Sequence, residues 1–206
     1  TDESGTSTKG IKAGGGMYLN GGTYQIDSAD DSIHSNANIT IADGTYTLAT
    51  GDDGVHADDA LIVNGGTITV TESYEGLEGL TVTINDGTID ITASDDGINT
   101  AGEKMELNGG YIHILAGGDG VDSNGDLTIN GGEIYIDGPS DNGNSAIDYG
   151  DRSSAYVNGG MLVAIGSSGM AEVMSDSSKQ KVLMVKLGEQ MEAGDVVLTD
   201  SEGNVI

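Results

Sequence analysis

"GDDGVHADDALIVNGG", residues 51–66, and "SDDGINTAGEKMELNGG", residues 94–110, are two versions of one unit, and a third version, "SYEGLEGLTVTINDG", fills residues 73–87 between them. Each version sets acids before a glycine, an aliphatic residue after it, then alternating apolar and polar residues, and closes on an Asn/Asp–Gly turn. Such a repeat is read before any local element, because a fixed period dictates the whole architecture. Aligned on the turn, the glycines are Gly22, Gly44, Gly66, Gly87, Gly110, Gly132 and Gly160, with steps of 22, 22, 21, 23, 22 and 28 residues.

Inside each unit the apolar period is two, as short strands require. One unit shows it as Leu61 and Val63, then Ile68 and Val70, then Leu77. The same positions recur as three columns. The first is Leu19, Ile41, Val63, Ile84, Leu107, Ile129, Val157; the second is Ile26, Leu48, Val70, Ile91, Ile114, Ile136; the third is Ile11, Ile33, Val55, Leu77, Ile98, Val121, Ile147. Three inward-facing columns per unit predict an all-β fold, a right-handed three-sided parallel β-helix of about seven coils. Such a rod is roughly 33 Å long at ~4.8 Å per coil. The turn glycines supply the positive φ of a tight bend. Asn20, Asn64, Asn85, Asn108, Asn130 and Asn158 stand near them and are expected to form a buried amide ladder.

The pattern sets the boundaries: residues 1–8 as a polar N-terminal remnant, 9–178 as the β-helix, and 179–206 as capping strands at the C-terminal end. "KGIKA", residues 9–13, matches "DSIHS" and "DGVHA" in register, so the chain starts partway through a coil. The cap is expected to cover the outward apolar side chains Met161, Val163 and Ile165.

The chain has 35 glycines, one proline, no cysteine, tryptophan or phenylalanine, and a net charge of −27 from 34 acids and 7 bases. That field repels polyanions, which argues against nucleic acid and anionic membrane and favours cations, or surfaces reached through cations. No apolar run approaches the ~18 residues of a membrane-crossing helix. A monomeric bacterial protein, secreted or held at the cell surface and already freed of its export signal, is the expectation.

Stacking turns alignment columns into ladders with rungs about 5 Å apart. One column holds Lys9, Asp31, Asp53, Glu75, Asp96, Asp119 and Ser145; Asp30, Asp52 and Asp95 precede it; Lys12, His34, His56, Glu78, Asn99, Asp122 and Asp148 follow three residues later. Two outward rows of oxygen ligands are therefore expected to flank one buried aliphatic column. Carboxylates 5 Å apart repel by roughly 3 kcal/mol at an effective dielectric of 20. Calcium, which accepts six to eight oxygens in flexible geometry, is the simplest remedy, best placed where Asp53, Glu75 and Asp96 meet Glu78 and Asn99. A solvated acidic face with diffuse counterions is the alternative. With no cysteine and three histidines, zinc and copper compete poorly. His34 and His56 share a column and read equally as partners of neighbouring acids or as ligands. On the second face Tyr111, His113 and Tyr135 point outward and could stack on a sugar ring, beside threonines such as Thr67, Thr69, Thr71, Thr88 and Thr92.

The ordered series "KGIKA", "SADDSIHS", "TGDDGVHAD", "SYEGLEG", "ASDDGIN" and "GGDGVDSNG" between "NGG"-type turns resembles the carbohydrate-binding, polysaccharide-lyase-like β-helix proteins on the surface of anaerobic fibre-degrading bacteria, over residues 9 to 165. The resemblance implies Ca2+ as the cofactor, with ligands among Asp31, Asp53, Glu75, Glu78, Asp96, Asn99, Asp119 and Asp122. It also implies adhesion to plant cell-wall polysaccharide such as cellulose or polygalacturonate. A calcium-binding adhesion module without catalytic residues is the expected function. The alternative is a calcium-dependent pectate lyase, which needs a base beside the metal. The candidate bases Lys104, Arg152, Lys9 and Lys12 all lie outside the central acidic columns. An ice-binding or purely structural β-helix would need a regular threonine face, and Gln25, Asp90, His113 and Tyr135 break it.

Overall fold

A computed structural model describes residues 7–188, 194, 197 and 199–205. Its strands run in the order β1 (Ile11–Ala13), β2 (Met17–Ser28), β3 (Ile33–Ser35), β4 (Ile39–Thr50), β5 (Val55–Val63), β6 (Thr67–Glu72), β7 (Leu77–Ile84) and β8 (Thr88–Ala93). They continue with β9 (Ile98–Leu107), β10 (Tyr111–Ala116), β11 (Val121–Asp122), β12 (Asp126–Ile129), β13 (Glu133–Asp137), β14 (Ile147–Asp148), β15 (Ala155–Val157) and β16 (Met161–Ile165). Among the described residues there is no helix, and every pairing between these strands is parallel.

The pairings sort into three stacks, so the chain is a parallel β-helix. In one, Ile11, Ile33, Val55, Leu77, Ile98, Val121 and Ile147 follow one another in register. Leu19, Ile41, Val63, Ile84, Leu107, Ile129 and Val157 do so in the next. Ile26, Leu48, Val70, Ile91, Ile114 and Ile136 form the third. From Ile33 to Val157 these side chains form one core, and each fully buried aliphatic chain stabilises the fold by about 1.5–3 kcal/mol. The seven turn glycines all take positive φ, between 85° and 128°. Gly97 is required for a different reason: a Cβ there would lie 2.3 Å from Ile114 Cγ2 and 2.6 Å from the Gly120 carbonyl, because the coils cross too closely for a side chain.

Three expectations change. The amide ladder runs from Asn64 onward, with Asn85 donating to Asn64 (2.8 Å), Asn108 to Asn85 (2.9 Å), Asn130 to Asn108 (2.8 Å) and Asn158 to Asn130 (3.0 Å), whereas Asn20 stands opposite Asp43. It lies on the surface rather than in the core, because the outward corner that needs a glycine turns the residue two positions before it toward solvent. At the C-terminal end Met161, Val163 and Ile165 remain exposed. The chain beyond them covers a different face, where Ser175 N–H bonds the Ala155 carbonyl (2.7 Å) and Gln180 N–H the Val157 carbonyl (3.0 Å). Of the expected capping strands, residues 179–188 carry none, Thr199 and Val205 form an antiparallel bridge, and residues 189–193, 195, 196, 198 and 206 lie outside those described, as do residues 1–6 of the N-terminal remnant. Outside the three aliphatic columns, Tyr46 is also fully buried, stacked on Tyr24 with centroids 5.0 Å apart, its hydroxyl donating to the Asp43 carbonyl at 2.8 Å. The aromatic fills a position that later coils give to Ile68, Ile89, Ile112 and Ile134.

Candidate functional site

The acidic column occupies the bends that lead into the stack of β1, β3, β5, β7, β9, β11 and β14. Backbone bonds hold its register: Gly10 N–H to Asp31 C=O (3.0 Å), Ser32 to Asp53 (2.9 Å), Gly54 to Glu75 (2.9 Å), Gly76 to Asp96 (3.0 Å) and Gly97 to Asp119 (2.9 Å). Several side chains do not point outward as expected. Asp31 Oδ1 accepts the Asp53 N–H (3.4 Å), Asp96 Oδ1 the Asp119 N–H (2.7 Å) and Asp119 Oδ1 the Ser145 N–H. The carboxylates therefore run along the rod axis, each serving a donor of the next coil, and Asp31, Asp53 and Asp119 are buried. Bonds of this charge-assisted kind are about twice as strong as neutral ones and answer part of the repulsion.

In the first coils, nitrogen supplies the rest of the compensation. Lys9 Nζ bonds Asp30 Oδ1 at 2.8 Å and also Asp31 Oδ2. Burial would raise the Asp30 carboxyl, but the Lys9 bond holds it far below the usual range. His34 Nδ1 lies 2.8 Å from Asp31 Oδ2, and burial followed by the Lys9 charge lowers its pKa. His56 Nδ1 lies 3.0 Å from both Asp53 Oδ2 and Glu78 Oε2. Burial opposes its protonation, yet the Asp53 bond and the Glu78 charge raise its pKa overall. The two imidazoles meet edge to face with centroids 4.9 Å apart.

Further along the rod the nitrogen ends and the acids continue. Carboxylate oxygens of Asp96, Asp119 and Asp122 all lie within 4.8 Å of one another. Among the described residues no lysine, arginine or histidine forms an ion pair with them. Burial, then the charges of Asp95, Asp119 and Asp122, push Asp96 up to about 7 against the bond from Asp119 N–H. Burial likewise raises Asp119 to about 6. On the preceding rung burial lifts Glu75 to about 7, although Asn99 Nδ2 donates to its Oε2 at 3.0 Å. Asn124, at φ 40°, donates its backbone and side-chain N–H to the Asp122 carboxylate, both at 3.0 Å. The structure thus divides the eight sequence-derived metal candidates. Asp31, Asp53 and Glu78 face nitrogen cations, while Glu75, Asp96, Asn99, Asp119 and Asp122 form an oxygen-lined stretch.

The donor chemistry decides which part suits calcium, a hard cation that takes oxygen ligands. Asp96, Asp119 and Asp122, all oxygen and short of positive charge, fit it. The Lys9, His34 and His56 group does not. Sequence reasoning missed Asp58, whose Oδ1 faces both imidazoles, and Asn124; "HADD" and "DSN" put a polar residue two positions beyond a ladder residue in each case.

The proposed sugar-contacting residues stand on the stack of β6, β8, β10, β13 and β16. Tyr111 and Tyr135 lie with ring centroids 5.7 Å apart and planes at 44°, Tyr111 well exposed. His113, two residues after Tyr111 on β10 and directly opposite Tyr135, is held by Asp90, Nδ1 to Oδ1 2.9 Å. Of the candidate lyase bases, Lys104 Nζ pairs with Glu106 at 3.0 Å, Arg152 sits in an exposed turn, and Lys9 is taken up by Asp30 and Asp31 at the first coils.

No curated protein and no solved structure matches the chain. A family model described as "Carbohydrate-binding domain-containing protein" matches residues 1–54 and 51–201, nearly the whole length. The chain, a parallel β-helix with an acidic ladder on one face and a tyrosine pair on another, therefore belongs to this carbohydrate-binding domain-containing family.

Proposed function

We propose that the protein is a non-catalytic, calcium-dependent module that binds acidic plant cell-wall polysaccharide of the pectin type, as a monomer secreted by or held on a bacterial cell. The observation that carries this reading is the group of Asp96, Asp119 and Asp122, three carboxylates with no cationic partner among the described residues, on a chain of net charge −27. Calcium bound there would offset that charge and leave coordination positions that a uronate carboxylate can complete.

The residues of the chain divide the remaining work. Asp119 N–H and Asn124 orient the carboxylates of Asp96 and Asp122, and Ser145 N–H orients that of Asp119. Glu75, bonded to Asn99, extends the oxygen-lined stretch one rung toward the histidines. Tyr111 and Tyr135 offer tilted aromatic surfaces for the apolar face of a sugar ring, with His113, its Nδ1–H given to Asp90, presenting Nε2 as an acceptor beside Tyr135. Against lyase chemistry stands the placement of Lys104 and Arg152, away from the carboxylates where a base would have to act.

A binding panel tests the proposal. Calcium-replete and EDTA-treated protein would be titrated calorimetrically with polygalacturonate, methyl-esterified pectin and soluble cello-oligosaccharides, while product is followed by unsaturated-uronide absorbance. Binding to polygalacturonate only with calcium, and no absorbance increase, is expected. Equal binding after EDTA refutes the calcium role, and a growing absorbance makes the protein a lyase.

A further inference from the structure

We propose a second metal site, separate from the oxygen-lined stretch, in which Asp31, His34 and His56 hold a borderline divalent transition ion such as Zn2+ or Co2+, with a coordination position left for water. Three features of the first coils lead there. His34 is buried, with a side chain only 8% exposed, and its Nδ1 makes no hydrogen bond although Asp31 Oδ2 is 2.8 Å away. A nitrogen and a carboxylate oxygen that close without a properly directed hydrogen bond are placed like two ligands of one ion. His56 Nδ1 completes the group at 3.8 Å from the same Asp31 oxygen. Ligand atoms around a tetrahedral zinc stand about 3.3 Å apart when each bond is about 2.0–2.1 Å, and these separations bracket that value.

The outer contacts agree. Both Nε2 atoms face one oxygen, Asp58 Oδ1, at 3.6 Å for His34 and 3.7 Å for His56. A carboxylate beyond the far ring nitrogen is the usual support of a metal-bound imidazole, because it fixes the proton on that nitrogen and leaves the near one free to ligate. With Nε2–H directed at Asp58, the unbonded His34 Nδ1 would turn its lone pair toward the Asp31 carboxylate, an arrangement that a cation between them resolves, and the ion would displace the proton that His56 Nδ1 shares with Asp53. Asp31 is held in turn by Lys9 Nζ at Oδ2, the oxygen that faces the imidazoles, and by the Asp53 N–H at Oδ1. Imidazole nitrogen selects zinc, cobalt, nickel or copper over calcium, so the two ends of the ladder would take different ions. The low count of histidines argued against such a site; their stacking in register, His34 on His56, makes two enough.

Co2+ and Zn2+ titrations of the whole chain in saturating calcium test the proposal. Visible Co2+ absorption and calorimetry should show one site whose affinity falls by more than about tenfold in His56→Gln and in His34→Asn, the low end of what losing even an outer-shell partner costs. Asp119→Asn should leave it unchanged. In the wild-type protein, long-range 1H–15N spectra should show Zn2+ shifting the Nδ1 signals of His34 and His56 while His113, on the other face, stays put; this readout does not depend on any variant folding. Weak binding to many sites, binding that survives both histidine substitutions, or equal shifts at all three histidines would overturn the proposal.

Discussion

Without metal, the oxygen-lined stretch should make the protein less stable as pH rises through neutrality, the reverse of ordinary carboxylates. Asp96 titrates at about 7 in the folded chain, mainly through burial, against 3.8 when unfolded. Between those values the folded state binds the proton more tightly, so stability falls as pH rises and the full loss is reached above the folded pKa. At 1.36 kcal/mol per unit the total is on the order of 4 kcal/mol for Asp96, of which about 1.4 kcal/mol falls between pH 6 and 8. Glu75, raised to about 7, acts in the same direction, and their mutual coupling makes the sum smaller than the parts. His56, raised by its acidic partners, also loses its contribution as pH climbs through its folded pKa, whereas His34, lowered by burial, opposes the trend only on the acid side of 6.5. Urea unfolding in EDTA at pH 6, 7 and 8 should therefore show a loss of roughly 1.5–3 kcal/mol across that window. Calcium at about 100 times its dissociation constant should restore about 2.7 kcal/mol at pH 8. Asp96→Asn keeps the acceptor for Asp119 N–H and should stabilise the metal-free protein at pH 8 while removing most of the calcium gain. Stability that is flat or rises from pH 6 to 8, or an Asn variant weaker than wild type at pH 8 in EDTA, would refute the reasoning.

Other perturbations probe other parts. Lys9→Met removes the ammonium that the buried Asp30 and Asp31 carboxylates share, so it should cost about 3–5 kcal/mol at pH 7 by urea unfolding, with much of the loss recovered near pH 3. Gly97→Ala forces a methyl against Ile114 and the Gly120 carbonyl and should lower stability by about 1–3 kcal/mol. Asn108→Ala breaks two links of an exposed ladder, with an expected loss near 1 kcal/mol on the same assay. Tyr135→Ala removes half of the tilted aromatic pair; polysaccharide affinity should drop at least severalfold with the melting temperature nearly unchanged, as calorimetry on both properties would show.

The period of the turn glycines and the three aliphatic columns were legible because each records a strict geometric need: positive φ at Gly66 or Gly110, and burial at Val63 or Ile91. The buried Tyr46 escaped because tyrosine at a strand position reads as surface as readily as core, and only its stacking on Tyr24 decides. In the acidic ladder the column was visible but its direction was not. Alternation says which residues leave the core, whereas the turn of Asp96 and Asp119 along the axis depends on amide donors of the next coil. The division between nitrogen-paired and oxygen-only rungs depends on Lys9 reaching Asp30 and Asp31 and on Asp58 facing two imidazoles, distances that no spacing encodes.

The most direct trial of the functional account is retention on immobilised polygalacturonate, compared for wild type and the Asp96→Asn, Asp119→Asn double variant, with calcium and with EDTA. The account expects wild type to be retained in calcium and released by EDTA, and the double variant to pass through in both. Retention of wild type in EDTA, or of the double variant in calcium, would contradict it.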